Sequence, residues 1–254
     1  MSDAKAGLLR GLHHGELLVL PNAWDEESAS LVVEAGFPVV ATSSAAVADA
    51  LGHGDGERAP WREMFAAVAR IARAVPVPVT VDAEAGYGLE PDRLVAELLA
   101  AGAAGCNIED TDHRAGGLVP AEVQADRLAA IRAAAGTALV INARIDTFLP
   151  AGAIPEPERT AEAVRRGRLY RAAGADCVYP IGVSSAADLE RIVTGVGGPV
   201  NGNTGAELDL GTLASMGVAR VSFGPRFYRA GMAALRDGLA ELRREVEKVG
   251  VSHG

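Results

Sequence analysis

The sequence predicts one (β/α)8 barrel of the TIM type spanning residues 1–254, and three observations carry that reading. A local pattern recurs along the chain: a helical segment closes on a small residue plus Gly, and an apolar, β-rich run follows within a few residues. It occurs at Gly36, Gly102, Gly136, Gly174 and Gly217, where Gly suits the left-handed residue that ends a helix. The following strands are apolar on both faces, as in a parallel sheet covered by helices. Finally, the length of 254 residues matches one closed barrel, which typically takes about 250.

Taken in order, the strand candidates are 17–21, 38–42, 77–81, 105–109, 139–142, 176–179, 199–201 and 219–222. Helical segments follow at 25–35, 61–75, 91–101, 120–135, 157–173, 185–194, 208–216 and 225–249. No linker or low-complexity run divides them. The longest gaps, 43–60 and 110–120, both follow strands, where a barrel carries its catalytic loops. Gly52-His53-Gly54-Asp55-Gly56 in the first gap is not a dinucleotide fingerprint, because no strand-to-helix turn of the required register surrounds it.

The last helical segment differs from the rest. Tyr228, Met232, Leu235, Leu239, Leu242, Val246 and Val249 recur in steps of four and three, a period near 3.5 that suits pairing with another helix. Covering its own barrel is the simpler alternative on pattern alone.

A net charge of -9 without a Lys/Arg block excludes nucleic acid and anionic membranes as expected partners. Cys106 and Cys177 lie in apolar strand candidates, so they are expected as buried thiols rather than a disulfide. Residues 1–14 lack an apolar run of signal-peptide length, and no stretch approaches a membrane span. The expected location is cytoplasmic.

The chemistry concentrates at strand ends. Val79-Thr80-Val81 runs into Asp82-Ala83-Glu84 and a Gly86-Tyr87-Gly88 turn. If extended geometry persists, Asp82 and Glu84 share a face, and close carboxylates need a proton or a metal between them. Other strand ends bring Asn22, Trp24 and Asp25; Ser43 and Ser44, with Asp55 in the loop beyond; Glu109, Asp110, Asp112 and His113; Asn142, Arg144 and Asp146; Asn201, Asn203 and Thr204; and Ser222. This excess of carboxylates over one Arg calls for a cation. Oxygen donors without a His/Cys cluster favour Mg²⁺, with Mn²⁺ the alternative. Arg144 has the planar fork that binds a substrate carboxylate or phosphonate, although it could equally be the salt-bridge partner of the acids. Backbone N–H groups at Ser43 and Ser44 could hold an anionic oxygen. The competing reading makes Asp25, Asp110, Asp112 and Asp146 helix N-caps and His113 a solvated loop residue. His13, His14 and His253 have no expected role.

Several motifs together resemble the isocitrate lyase/phosphoenolpyruvate mutase superfamily: Pro21-Asn22-Ala23-Trp24-Asp25, Thr42-Ser43-Ser44, Gly52-His53-Gly54-Asp55, Val81 to Gly88, Asn107-Ile108-Glu109-Asp110 and Asn142 to Thr147. The likeness covers nearly the whole barrel and rests on the order and spacing of the set. It implies a Mg²⁺-dependent enzyme acting on a small 2-oxo or 2-hydroxy carboxylate through an enolate. In that likeness Asp82 is the direct metal ligand, Asp55, Glu84 and Glu109 hold its waters, Arg144 takes the substrate carboxylate, and Ser43 with Ser44 forms the cradle. Asn22, Trp24 and Asn203 complete the candidate substrate contacts, and Glu109, His113 and Arg144 the catalytic set. The resemblance also implies a homo-oligomer, a dimer of dimers, with the last helix swapped between subunits.

The chain departs from that pattern after the fourth strand. Isocitrate and methylisocitrate lyases carry a Lys-Lys-Cys-Gly-His lid there, whereas this chain has Asp112-His113-Arg114-Ala115-Gly116-Gly117. The longer lid of the mutases is absent too. The expectation is therefore a short-lidded lyase of an oxaloacetate-like acid, with His113 or Arg114 standing in for the lid. Phosphorus–carbon chemistry and an oxo-acid-binding barrel without turnover are the alternatives.

Overall fold

The computed structural model describes residues 2–249. The order is α1 (Ser2–Gly11), β1 (Leu18–Leu20), β2 (Asn22–Ala23), α2 (Glu26–Glu34), β3 (Val40–Thr42), α3 (Ser44–Ala50), α4 (Trp61–Ala74), β4 (Val79–Asp82), α5 (Pro91–Ala100) and β5 (Gly105–Glu109). Then follow α6 (Ala121–Ala135), β6 (Val140–Ile145), α7 (Glu156–Ala172), β7 (Cys177–Pro180), α8 (Ala186–Val196), β8 (Asn201–Gly202), α9 (Leu210–Ser215), β9 (Arg220–Ser222) and α10 (Arg226–Lys248).

All ladders are parallel and run β2-β3-β4-β5-β6-β7 and β1-β9-β8. A Val178↔Val200 bridge joins the seventh strand to the segment entering the eighth. At the other seam β1 and β2 form one staple: β1 pairs with β9, β2 with β3. Pro21, lacking an N–H, interrupts the ladder between them. The ring therefore closes as eight strands, as the sequence predicts.

Each helix buries one face. In α4, Met64, Phe65, Val68 and Ile71 recur at steps of one, three and three and are buried, each contributing about 1.5–3 kcal/mol. Asp25 caps α2 with a reciprocal capping box, as expected of an acid at that place. Two helices were not foreseen. Residues 44–50 of the expected loop form α3, whose N-terminus receives a carboxylate from another strand. The N-terminal α1 and the 3₁₀ turn after it bring Leu9 and His13 into burial at the N-terminal end of the barrel. His13, given no role, is thus part of the packed interior.

Both cysteines are buried and free. Among the described residues no helix is long and apolar enough to cross a membrane. In α10 no residue is buried: Tyr228 meets Trp24 edge to face at 5.3 Å, and Leu235, Leu239 and Leu242 are each more than half exposed. Covering its own barrel is not what this helix does. His253 lies outside the described residues.

Candidate active site

Asp82, the last residue of β4, points into the barrel mouth. Its Oδ2 accepts from the Ser44 N–H at 3.2 Å and from the Ser44 hydroxyl at 2.9 Å, placing the carboxylate on the N-terminus of α3, where the helix dipole favours an anion. Its Oδ1 is buried and has no hydrogen-bond partner among the described residues. Asp55 is 3.2 Å from the same hydroxyl, so two acids meet at one Ser. The N–H groups expected to cradle a substrate oxygen are engaged: that of Ser44 by Asp82, and that of Ser43 by the Ala23 carbonyl. The Ser43 side chain caps α3.

Glu84 corrects the shared-face expectation. The strand stops at Asp82, and Glu84 adopts φ +48°, a left-handed conformation that strand periodicity does not describe. Its carboxylate accepts from the Glu57 N–H at 2.5 Å and the Tyr87 hydroxyl at 2.8 Å. Burial raises its pKa, and the nearby Asp82 and Asp55 raise it further, so these acids do converge. Glu57, which carries no motif or strand-end signal in the sequence, clamps the same turn by accepting the Tyr87 N–H at 2.5 Å. Gly86, at φ +92°, holds a left-handed conformation that strains any residue with a Cβ.

On the opposite wall, Arg144 Nε and Nη2 donate to Asp146 at 2.7 and 2.9 Å, and Nη1 lies 2.5 Å from Glu109. The fork is therefore already held by acids, as the salt-bridge alternative required. Burial opposes its charge, but Glu109, Asp146 and Asp82 carry its pKa well above the usual value. Asp146 is not a helix cap: it is fully buried and receives Thr111 Oγ1 at 2.5 Å. Asp110 is not a cap either. It is fully buried, accepts the Asp146 N–H at 2.9 Å, and takes Arg166 and Tyr170 of α7 at 2.9 and 2.7 Å. Only Asp112 behaves as a local turn residue, accepting from Arg114 and Ala115 at 2.9 Å.

His113 is not a solvated loop residue. Its Nε2 donates to Glu109 at 2.5 Å. Burial lifts the Glu109 pKa to about 7 against the opposing pull of His113 and Arg144, while the bond to Glu109 raises that of His113. The loop that carries His113 borders a cleft of about 220 Å³, lined by Glu57, Glu109, Thr111, His113 and Arg114.

The remaining candidates have mixed fates. Asn22 donates to the Thr42 carbonyl at 2.8 Å and accepts the Phe223 N–H at 2.7 Å, fastening three strand ends. Trp24 packs on Tyr228 of α10 rather than reaching toward Asp82. Asn203 donates to Tyr179 and to the Ser222 carbonyl at 2.8 and 3.1 Å, at the rim. Asn107, Asn142 and Asn201 form a buried chain of amides below the acids, with Asn142 Nδ2 donating at 2.8 and 3.3 Å.

Among the described residues no three His, Cys, Asp or Glu side chains form a metal cage. Mg²⁺ needs none, since it commonly keeps several waters and takes one or two carboxylates. The Asp82 Oδ1, buried without a hydrogen-bond partner among the described residues, fits one ligand of such an ion, and Asp55 meets Asp82 at the Ser44 hydroxyl.

The family model described as phosphoenolpyruvate phosphomutase matches residues 9–243. The chain is 34% identical to an oxaloacetate decarboxylase of Ectopseudomonas mendocina, over 87% of this chain and 78% of that protein. It is 38% identical, with TM-score 0.85, to a solved protein of Burkholderia cenocepacia assigned as a phosphonomutase, covering 93% of this chain and 99% of the other. A solved oxaloacetate acetylhydrolase with bound oxalate is 26% identical at TM-score 0.83, over 95% of this chain and 87% of that one. With its barrel, its strand-end acids and these relatives, the chain belongs to the phosphoenolpyruvate phosphomutase family, within the isocitrate lyase/phosphoenolpyruvate mutase superfamily of enzymes.

Proposed function

We propose that the chain is a Mg²⁺-dependent lyase that cleaves a carbon–carbon bond of a small, oxaloacetate-like 2-oxo or 2-hydroxy carboxylate. The observation that carries this is Asp82: one oxygen is fixed by Ser44, and the other is buried without a hydrogen-bond partner among the described residues, a bare anionic oxygen that a cation would satisfy. Mn²⁺ would serve the same donors.

Asp82 would hold the metal directly, with Asp55, Glu84 and Glu109 holding its waters. When bound, the ion supplies Lewis acidity for the enolate charge that develops as the bond breaks. The protein's own groups do the rest. Arg144, pinned by Asp146 through Nε and Nη2 and by Glu109 at Nη1, would offer a substrate carboxylate the remaining N–H bonds of its two Nη atoms. His113 and Glu109 hold a proton at Nε2 and Oε1, where the carbon left by cleavage can receive it. This pair takes the place that a lid thiol has in isocitrate lyases. The oxaloacetate decarboxylase relative supports the substrate class.

A second reading, phosphorus–carbon chemistry on a phosphonate or phosphoenol substrate, has its own support in the Burkholderia structure. Turnover assays with Mg²⁺ on oxaloacetate, 2-methylisocitrate, dimethylmalate, phosphonopyruvate and phosphoenolpyruvate separate the two. Oxaloacetate or a malate-type acid is expected to react; turnover of the phosphorus compounds alone rejects the first reading. Calorimetric binding of Mg²⁺ with pyruvate, and no turnover anywhere, would leave an oxo-acid-binding barrel.

A further inference from the structure

Arg220 opens β9, in register with Leu18 of β1 and Asn201 of β8. It shares a face with Ser222 two residues on, so its side chain enters the barrel one step deeper than the mouth. It is fully buried, and Nε, Nη1 and Nη2 all lack a hydrogen-bond partner among the described residues. A guanidinium cannot shed its proton, so burial leaves a permanent charge and five unsatisfied donors.

The surroundings do not compensate. The groups that act on Arg220 are Cys177, Tyr179 and Cys106, and all three are neutral at pH 7, since burial pushes both thiols up to about 12 and raises the Tyr179 phenol. Asp176, the acid that acts on His13, is already held by Arg10, Arg132 and the Ile141 N–H. His13 itself adds no negative charge. Its Nδ1–H donates to the Leu9 carbonyl at 2.7 Å, leaving a bare Nε2 that is also buried without a partner. Two orphaned polar groups, one of them charged, thus occupy the same end of the barrel. A cleft of about 880 Å³, lined by His13, Gly15, Leu17, Pro199 and Ala219, opens on that end.

Isolated buried charge costs several kcal/mol, and among the described residues none accepts from the guanidinium. We propose that Arg220 is the centre of an interior site for a small monovalent inorganic anion of halide size, beneath the layer of buried amides that underlies the strand-end acids. The anion accepts from the guanidinium, and its hydration water donates to His13 Nε2. Such an ion locks β9, β1 and the N-terminal cap together.

The test compares thermal unfolding of the full-length protein and Arg220→Met as sodium gluconate is exchanged for sodium chloride at fixed ionic strength. For the wild type, the midpoint is expected to rise by roughly 5–10 °C at a hundredfold excess over Kd. Arg220→Met is expected to show no chloride response and to equal or exceed the wild type in gluconate, having lost the unpaired charge. Equal chloride responses in the two proteins, or stabilisation by gluconate as strong as by chloride, would overturn the site. Should the variant not fold, wild-type crystals in sodium bromide decide: an anomalous peak on the guanidinium supports the site, and its absence there rejects it.

Discussion

At the scale of single residues, the site depends on how one carboxylate is held at the N-terminus of a helix with one oxygen left bare. Asp82→Ala removes the bare oxygen together with its anchor, and Mg²⁺-dependent binding of pyruvate measured by calorimetry is expected to disappear; unaltered binding would remove the proposed metal site. Ser44→Ala is milder. It deletes the hydroxyl that joins Asp82 and Asp55 but keeps the backbone N–H. Losing a hydrogen bond to a charged group costs about 1.5–3 kcal/mol, so Mg²⁺ affinity is expected to fall about 10- to 100-fold with the fold intact. Asp82 was legible in the sequence because a β-rich run ending in an acid and a Gly-x-Gly turn is a local pattern. The direction of Glu84 was not, because a single left-handed residue breaks strand periodicity without altering composition. Glu57 and Thr111 had no signal at all: their partners, Tyr87 and Asp146, lie about thirty residues away in the chain.

Among the elements, α7 and α10 contrast in what fixes them. Arg166 of α7 reaches through the wall to Asp110 at the end of β5, with Tyr170 as a second donor. Because Asp110 also takes the Asp146 N–H, and Asp146 aligns Arg144, the helix braces Arg144 through two acids. Replacing Arg166 by Met strands a buried carboxylate whose pKa burial already raises. The expected cost is about 3–5 kcal/mol, read as a fall of roughly 10 °C or more in the unfolding midpoint. By contrast, α10 has no buried residue, and its apolar stripe lies open. A second copy of the chain, exchanging this helix, is the proposed cover. Leu235→Glu with Leu239→Glu is expected to convert the oligomer to monomer in light scattering, with each barrel still folded. An unchanged mass would show that the stripe does not hold the assembly together.

For the whole molecule, acid stability follows from the burial of His13 at the N-terminal end of the barrel. Burial, assisted by the charge of Arg220, lowers the His13 pKa from 6.5 to about 4. The unfolded chain therefore binds a proton between pH 6.5 and 4 that the native state refuses. Stability contributed by neutral His13 is fully present above pH 6.5 and is lost as pH falls toward 4, up to about 3 kcal/mol. In halide-free buffer, denaturant titrations of His13→Gln are expected to show a shallower decline than the wild type across that window. Parallel declines would show that His13 is not the group responsible.

What the sequence by itself determined was the periodic and the local: eight strand segments, the Gly-terminated helices, the Asp25 cap, the buried cysteines, and the acids at strand ends. These follow from hydrophobic spacing and from capping and turn chemistry, which act over a few residues. Tertiary structure decided the rest, because barrel closure brings strand ends together whatever their distance along the chain. Only closure could show that Ser44 serves Asp82, that Asp146 and Glu109 hold Arg144, that His113 meets Glu109, and that Arg220 has no partner among the described residues. A side chain's charge can be read from its letter, but what neutralises it depends on what the fold sets beside it.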